Sequence, residues 1–374
     1  MKILIVTDIY EPSIGGVETA FSLLAKNFLK RGYNVRVVTS RLPGTNSIEV
    51  RGGVNVFRVI VPKSYGRYFF TLTGLIKILK IGMDVDIIQT TTYASAFPSF
   101  IAAKLLRKPC VITVHEVFGK KWETLLNGKW LSSLAVRLLE KILITIPYDK
   151  IIVHSYFTRD RLISFGVPAD RVEVVYDAID YDLFNPKKAD GKQIRKKFKM
   201  NKNFVFGYYG RPGYTKGVEY FVQAIPMILK MVKKAKFFLI LDKNPYNRYV
   251  NLMKMIKDLG VEDKVIIIDP VERNVQPNYV DAMDCVVIPS LSEGFGIAAG
   301  EACAMRKPVI STTAGALPEV ISGKYIFVEP ENPKAIANAC EKIYKKKYKK
   351  TKLKLFTIDK KVEGYLRVYK NLLR

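Results

Sequence analysis

The sequence predicts an α/β protein made of two doubly wound parallel-sheet halves, and three observations predict it. Short β-branched runs recur along the chain, helical spacing separates most of them, and the series restarts after a turn-rich stretch near residue 180. The first series is KILIVTD (2–8), NVRVVTS (34–40), NVFRVIV (55–61), DIIQTT (86–91), CVITVH (110–115), KIIVHS (150–155) and VEVVYD (172–177), with helical patterns such as 16–31 and 94–106 between its members. Val, Ile and Thr favour strands because branching at Cβ restricts their rotamers in a helix. The second series is NFVFGYYG (203–210), KFFLIL (236–241), KVIIID (264–269), CVVIPS (285–290) and PVISTT (308–313), with helical patterns over 217–232, 249–259, 275–282 and 297–305. Between the series lies DAIDYDLFNPKKADGK (177–192), rich in turn formers, where Pro186 ends any regular element; the boundary is placed near Asp180. After a lysine-rich stretch (345–354), residues 356–373 return to helical spacing through Val362, Tyr365, Val368, Tyr369 and Leu372, a face that needs a surface to cover.

Composition narrows the function classes. A chain of 374 residues with 49% hydrophobic content can fill two cores. No apolar run reaches the roughly 18 residues of a membrane-spanning helix. Met1 and Lys2 precede only ILIV before Thr7 and Asp8, too short for a signal peptide, so a cytoplasmic protein is expected. Cys110, Cys285, Cys303 and Cys340 show no paired spacing and read as reduced core thiols. With His115 and His154 the only histidines, no structural zinc site is expected. The net charge of +27, from 61 Lys and Arg against 34 Asp and Glu, suits nucleic acid, an anionic membrane surface or an anionic substrate. Part of it matches thermophile-like composition, with abundant Lys and Ile and only four Gln. No helix-turn-helix, RNA-recognition or zinc motif accompanies the charge, so no nucleic-acid partner is expected.

The most informative stretch is SLSEGFGIAAGE (290–301). An apolar strand ends at Pro289 and Ser290, and small residues open a helix from about Ile297, whose first N–H groups lack helical partners and suit a phosphate. Glu293 in the loop and Glu301 one turn into the helix can contact different hydroxyl-bearing parts of one extended ligand; separately, each also reads as a solvated or capping glutamate. In GRPGYTKG (210–217), Arg211 and Lys216 flank a turn after a core strand and can converge on a diphosphate, Arg as a fork and Lys as a point charge. Gly15 and Gly16 precede a helix containing Glu18, as an ordinary turn or a close approach to phosphate, but not a GxGxxG fingerprint. His115 follows a strand and is placed either to hydrogen-bond a ligand and transfer a proton or to serve structurally, whereas His154 lies nearer a strand interior.

Together these elements resemble the retaining glycosyltransferases of family 4, which have the two-domain GT-B fold. GGVE, VITVHE, VVYDAIDYDLFNP, GRPGYTKG, VVIPSLSEGFGIAAGEA and PVISTTAGALPEVI carry the resemblance, the Glu-x7-Glu signature of Glu293 and Glu301 being the most specific part. The resemblance implies two Rossmann-like domains facing a central cleft, an acceptor-side domain of 1–180 with 356–374 and a donor domain of 181–355. It further implies that Gly15 and Gly16 approach a donor diphosphate that Arg211 and Lys216 neutralise. Glu293 contacts the donor sugar with Gly294 and the backbone N–H groups of Phe295, Gly296 and Ile297; Val271 lies by the nucleobase; Glu301 holds the ribose hydroxyls; His115 faces the sugar beside the acceptor. The implied reaction moves a hexose-type sugar from a UDP- or GDP-sugar to an acceptor hydroxyl with retention, needing no cofactor and no essential metal. The chain departs from the family at Asp177-Ala178 in the hinge, at LDKNP (241–245), and at Asp269-Pro270-Val271, where Asn-Gly, a Gly-rich loop and Gly-x-Val are usual.

The acceptor side is unusual. The stretch 63–80, opening at Lys63 and closing at Lys80, places Leu72, Leu75, Ile76 and Leu79 at helical spacing beside Lys77. The stretch 120–144, from Lys120 to Ile144, holds Trp122 and Trp130, which share a face if its helix is continuous. Basic residues beside apolar, Trp-bearing faces suit an interfacial helix, so a lipid-linked acceptor and a peripheral site on an anionic cytoplasmic membrane face are expected, against the alternative that both helices simply cover the sheet. A soluble-acceptor transferase, a GT-B epimerase or phosphorylase, and a basic nucleic-acid-binding protein are the other readings.

Overall fold

In the computed structural model, which describes residues 1–13, 15–62, 66–126 and 128–374, the chain divides into two units, Met1–Ala178 with Ile358–Arg374, and Ile179–Thr357. The divisions fall two residues from the expected 180 and 356.

In chain order, the first unit contains β1 (Lys2–Val6), α1 (Gly16–Lys30), β2 (Asn34–Ser40), β3 (Ile48–Arg51), β4 (Val54–Val59), α2 (Gly66–Gly82), β5 (Ile87–Thr91), α3 (Ala96–Leu106), β6 (Cys110–Val114), α4 (Trp122–Leu125), α5 (Trp130–Thr145), β7 (Lys150–Val153), α6 (Tyr156–Ser164) and β8 (Val172–Val174). The second contains α7 (Gly191–Lys197), β9 (Phe204–Gly210), α8 (Val218–Met231), β10 (Ala235–Leu241), α9 (Tyr246–Asp258), β11 (Val265–Ile268), α10 (Gln276–Asp281), β12 (Cys285–Ile288), α11 (Ile297–Ala304), β13 (Val309–Thr312), α12 (Leu317–Val320), β14 (Lys324–Val328), α13 (Pro333–Tyr344) and β15 (Lys349–Lys350), before α14 (Ile358–Leu372) returns to the first unit.

Among the described residues the first sheet runs β3-β4-β2-β1-β5-β6-β7-β8 and the second β11-β10-β9-β12-β13-β14-β15. All pairings are parallel except β3 with β4 and β14 with β15. The antiparallel edge strands and β14 lie outside the runs read from sequence; polar, exposed edges carry a weak alternating signal. Strand order reverses between β1 and β5 and between β9 and β12, the points where α/β sheets bind ligands beyond their strand C-termini. The four cysteines are buried and unpaired.

The terminal helix α14 is anchored by its apolar face and by polar groups placed deep in the first unit. Val362, Tyr365, Val368 and Tyr369 join the core with Ile5, Phe21, Phe28 and Val111. Tyr365 Oη lies 2.9 Å from Thr113 Oγ1, Tyr369 donates to Gln89 at 2.8 Å, and Lys361 Nζ donates to Asp177 Oδ1 at 2.7 Å.

The two stretches read as apolar helical faces fold differently. The 120–144 stretch is not one helix: α4 ends at Leu125, Asn127 lies outside the described residues, Gly128 takes φ +74°, and α5 starts at Trp130. Trp122 therefore turns against Phe118, with ring centroids 5.0 Å apart, while Trp130 stays exposed. In the 63–80 stretch, whose residues 63–65 lie outside the described residues, Leu75 and Leu79 pack on the first core and Leu72 and Ile76 face outward.

Candidate donor site at the strand ends of the second sheet

Three loops interlock at the strand-order reversal of the second unit. The 210–217 loop leaves β9, the 289–296 loop leaves β12, and the 313–316 loop leaves β13. Leu291 N–H donates to Thr215 O at 2.7 Å, Ala316 N–H to Glu293 O at 2.9 Å, and Thr312 Oγ1 to Ser290 O at 2.5 Å. Two glycines permit these approaches. A Cβ on Gly217 (φ +60°) would meet Pro289 O at 2.2 Å, and one on Gly315 (φ +63°) would meet Glu293 O at 2.1 Å. Both positions need positive φ and backbone contact, which L side chains resist.

This cradle fixes Glu293. Its Oε1 accepts from Lys216 Nζ at 2.8 Å and Ser290 Oγ at 2.9 Å. The carboxylate is thus paired and oriented, suited to accepting hydroxyl hydrogen bonds. Arg211 is exposed in the same loop, its carbonyl accepting from Tyr208 Oη at 3.0 Å. Beyond Glu293, buried Gly294 and Phe295 lead to Gly296, the N-cap of α11 at φ +94°, and Ile297 begins the helix. The N–H groups of the first α11 turn have no partner within the helix and present a partial positive charge to an anion. Phe295 stacks edge-on against Phe356 at 5.2 Å.

Glu301 lies on α11 and is only 2% exposed. Arg273, in the loop after β11, puts Nη2 2.8 Å from Glu301 Oε1. Burial raises the Glu301 pKa to about 7, against the lowering effect of Arg273. Val271 stands two residues before Arg273 and is half-buried. Arg273 was missed by sequence reasoning. Its one available signal was its position just past a strand end of the same sheet.

In the first unit, Gly15 N-caps α1 without a side-chain cap, at an extended φ of −160°. A Cβ on Gly15 would meet Glu18 Oε2 at 2.2 Å, whereas one on Gly16 would meet nothing within 4 Å. The Glu18 carboxylate folds back toward the helix start. His115 follows β6 and lies 5.0 Å, centroid to centroid, from His154. Burial, and then the neighbouring His154, lower the His115 pKa to about 3. The ring stays neutral at physiological pH. His154 Nδ1 donates to Val175 O at 2.9 Å, since a carbonyl only accepts; its pKa is lowered by burial, so it is neutral as well. Among the described residues, no three His, Cys, Asp or Glu side chains are grouped to hold a metal ion, and no helix is long and apolar enough to cross a membrane.

Residues 14–183 match the family described as Glycosyltransferase Family 4, and residues 190–356 match Glycosyl transferases group 1. An uncharacterized glycosyltransferase of Methanocaldococcus jannaschii is 30% identical over 365 residues, covering 92% of this chain and 89% of the relative. A D-inositol 3-phosphate glycosyltransferase of Corynebacterium diphtheriae is 23% identical over 347 residues, 88% of this chain and 81% of its own. Among solved structures, Anabaena HepE in complex with UDP and glucose has a TM-score of 0.75 at 19% identity, covering 100% of this chain and 98% of HepE. Sucrose-phosphate synthase from Thermosynechococcus elongatus also scores 0.75 at 19% identity, over 100% and 96% of the two chains. These likenesses match the GT-B architecture.

Proposed function

The chain belongs to the glycosyltransferases that pair a family 4 half with a group 1 half, and from that premise we propose that it transfers a hexose-type sugar from a nucleoside-diphosphate sugar to an acceptor hydroxyl with retention of configuration, without a metal cofactor. One observation carries the reading: Lys216 and Glu293 meet at 2.8 Å beside the open N-terminus of α11, at the strand-order reversal of the second sheet. There a cation, a helix start and an oriented carboxylate meet the needs of a diphosphate and a sugar.

In this mechanism Lys216, Arg211 and the N–H groups from Phe295 to Ile297 compensate charge on the departing diphosphate. The bond from the anomeric carbon to the phosphate oxygen breaks as the acceptor oxygen bonds to that carbon on the same face. The acceptor proton passes to the leaving phosphate oxygen. Glu293, held by Lys216 and Ser290, accepts from sugar hydroxyls and does not act as a nucleophile. Glu301 accepts from the ribose hydroxyls, and the Val271 segment borders the base. The structures of HepE in complex with UDP and glucose, and with UDP-glucose, support a UDP-sugar as the first donor to try.

For the acceptor we propose a lipid-linked hydroxyl at an anionic membrane surface. The outer stripe of α5 exposes Trp130, Leu131, Leu134, Leu138 and Ile142 beside Lys129 and Lys141, and α2 exposes Leu72 and Ile76 near Lys80. Apolar stripes edged by lysines match an interfacial helix.

Incubation with UDP-, GDP- and ADP-hexoses and candidate acceptors, followed by chromatography of released nucleoside diphosphate, tests the transfer. Glu293→Gln is expected to cut turnover by about 10²-fold or more at unchanged circular dichroism. Wild-type-like turnover by that variant would remove the assigned role, and transfer that disappears on chelation would remove the metal-free mechanism. Flotation with anionic vesicles tests the surface: binding lost in Trp130→Ser/Leu134→Ser/Leu138→Ser supports it, and no wild-type binding at moderate salt refutes it.

A further inference from the structure

We infer that Arg273 is a positioning residue for nucleotide binding: from the loop after β11 it favours the ionised form of the buried Glu301 carboxylate and orients it toward the ribose hydroxyls. The inference rests on the proposed role of Glu301 at the donor.

The geometry restrains Arg273 on two sides. Its Nη2 lies 2.8 Å from Glu301 Oε1, and its guanidinium carbon lies 5.3 Å from the centre of the Phe184 ring. Phe184 is itself buried in the turn that Asp180 closes, where Asp180 Oδ1 accepts from Leu183 N–H at 2.9 Å and Asp180 O from Phe184 N–H at 2.8 Å. The ring supplies a face on which a cation is favoured, so the guanidinium stays beside Glu301.

Glu301 has a matching need. Its side chain is 2% exposed, and Arg273 is its single partner among the described residues. Among the described residues, Glu301 Oε1 has this ion pair and no further hydrogen bond. A buried carboxylate with unused acceptor capacity is costly unless a ligand supplies donors, and a vicinal diol supplies two.

The other groups facing Glu301 do not substitute for Arg273. Asp180 is an acid and disfavours its ionisation. Tyr209 of β9 is held neutral by burial and donates to Ala298 O, and the buried Cys303 of α11 stays a thiol, its pKa raised to about 11. With Arg273 removed, burial and Asp180 act unopposed on a carboxyl already raised to about 7. It is then protonated at neutral pH and loses the charge-assisted hydrogen bonds that roughly double the strength of neutral ones.

The test is calorimetric binding of UDP, GDP and ADP to the full chain from pH 6 to 9, for wild type, Arg273→Ala, Arg273→Lys and Glu301→Gln. The tightest nucleotide for wild type serves as probe throughout. Arg273→Ala is expected to bind about 10-fold more weakly at pH 7 and to regain most of the loss by pH 9, Arg273→Lys to stay near wild type, and Glu301→Gln to bind weakly with no dependence on pH. If Arg273→Ala matches wild type at every pH while Glu301→Gln is weak, or if Arg273→Ala is weak without recovery at high pH, the inference fails and the Glu301 reading stands. If Glu301→Gln binds like wild type, or no nucleotide binds wild type, the Glu301 reading fails and the inference with it.

Discussion

Lys361→Met removes the cation from a buried ion pair while keeping the length and apolar stem of the side chain. Lys361 and Asp177 side chains are 1% and 7% exposed, and their atoms meet at 2.7 Å. Burial by itself would raise the Asp177 pKa, but the Lys361 charge leads the effects that outweigh it and hold Asp177 below the ordinary carboxylate range. Removing the lysine leaves an unpaired buried carboxylate, a change that costs about 3–5 kcal/mol. For a unit of this size, that corresponds to a fall in Tm of roughly 6–20 °C. The double variant Asp177→Asn/Lys361→Met has no buried charge and is expected to recover most of the loss. Urea and thermal unfolding of the full chain, followed by circular dichroism, check both. The linked pH dependence has a definite sign: Asp177 is depressed in the fold, so its contribution is present above about pH 4 and is lost as pH falls through its folded value. A Lys361→Met protein within about 1 kcal/mol of wild type would show that α14 is held without the ion pair, and the reasoning from it would be refuted.

Gly315→Ala forces a Cβ to 2.1 Å from Glu293 O at φ +63°, so turnover should drop together with stability, by about 2 kcal/mol or more; an active, fully stable variant would show that the loop has slack. Because the His115 pKa is lowered to about 3, its ring does not titrate between pH 5.5 and 8. The imidazole signals in NMR should stay at neutral positions across that range, and a midpoint near 6.5 assigned to His115 would contradict its buried setting.

Much of the candidate site was legible because its residues are close in sequence and adjoin strand ends. Glu293, Phe295, Gly296 and Ile297 occupy one strand-to-helix turn, and Lys216 ends the turn after β9. The distant partners were not legible. Arg273 lies 28 positions before Glu301, and no periodicity links a loop residue to a helix that follows a strand elsewhere in the sheet. The shared face of Trp122 and Trp130 was conditional on a continuous helix over 120–144; the stretch divides into α4 and α5, with Gly128 at positive φ between them.

The sequence by itself determined the alternation of strands and helices, the restart near residue 180 and the loops that bear the chemistry. Those follow from side-chain periods of two and 3.6, and from glycine and proline acting on their own backbone. Tertiary structure alone decided which charges meet: Lys216 with Glu293, Arg273 with Glu301, and Lys361 with Asp177. It also decided that Leu75 turns inward while Leu72 faces out. Such pairings depend on sheet order and burial, which are set by close packing among segments far apart in the chain and are encoded in no single stretch of it.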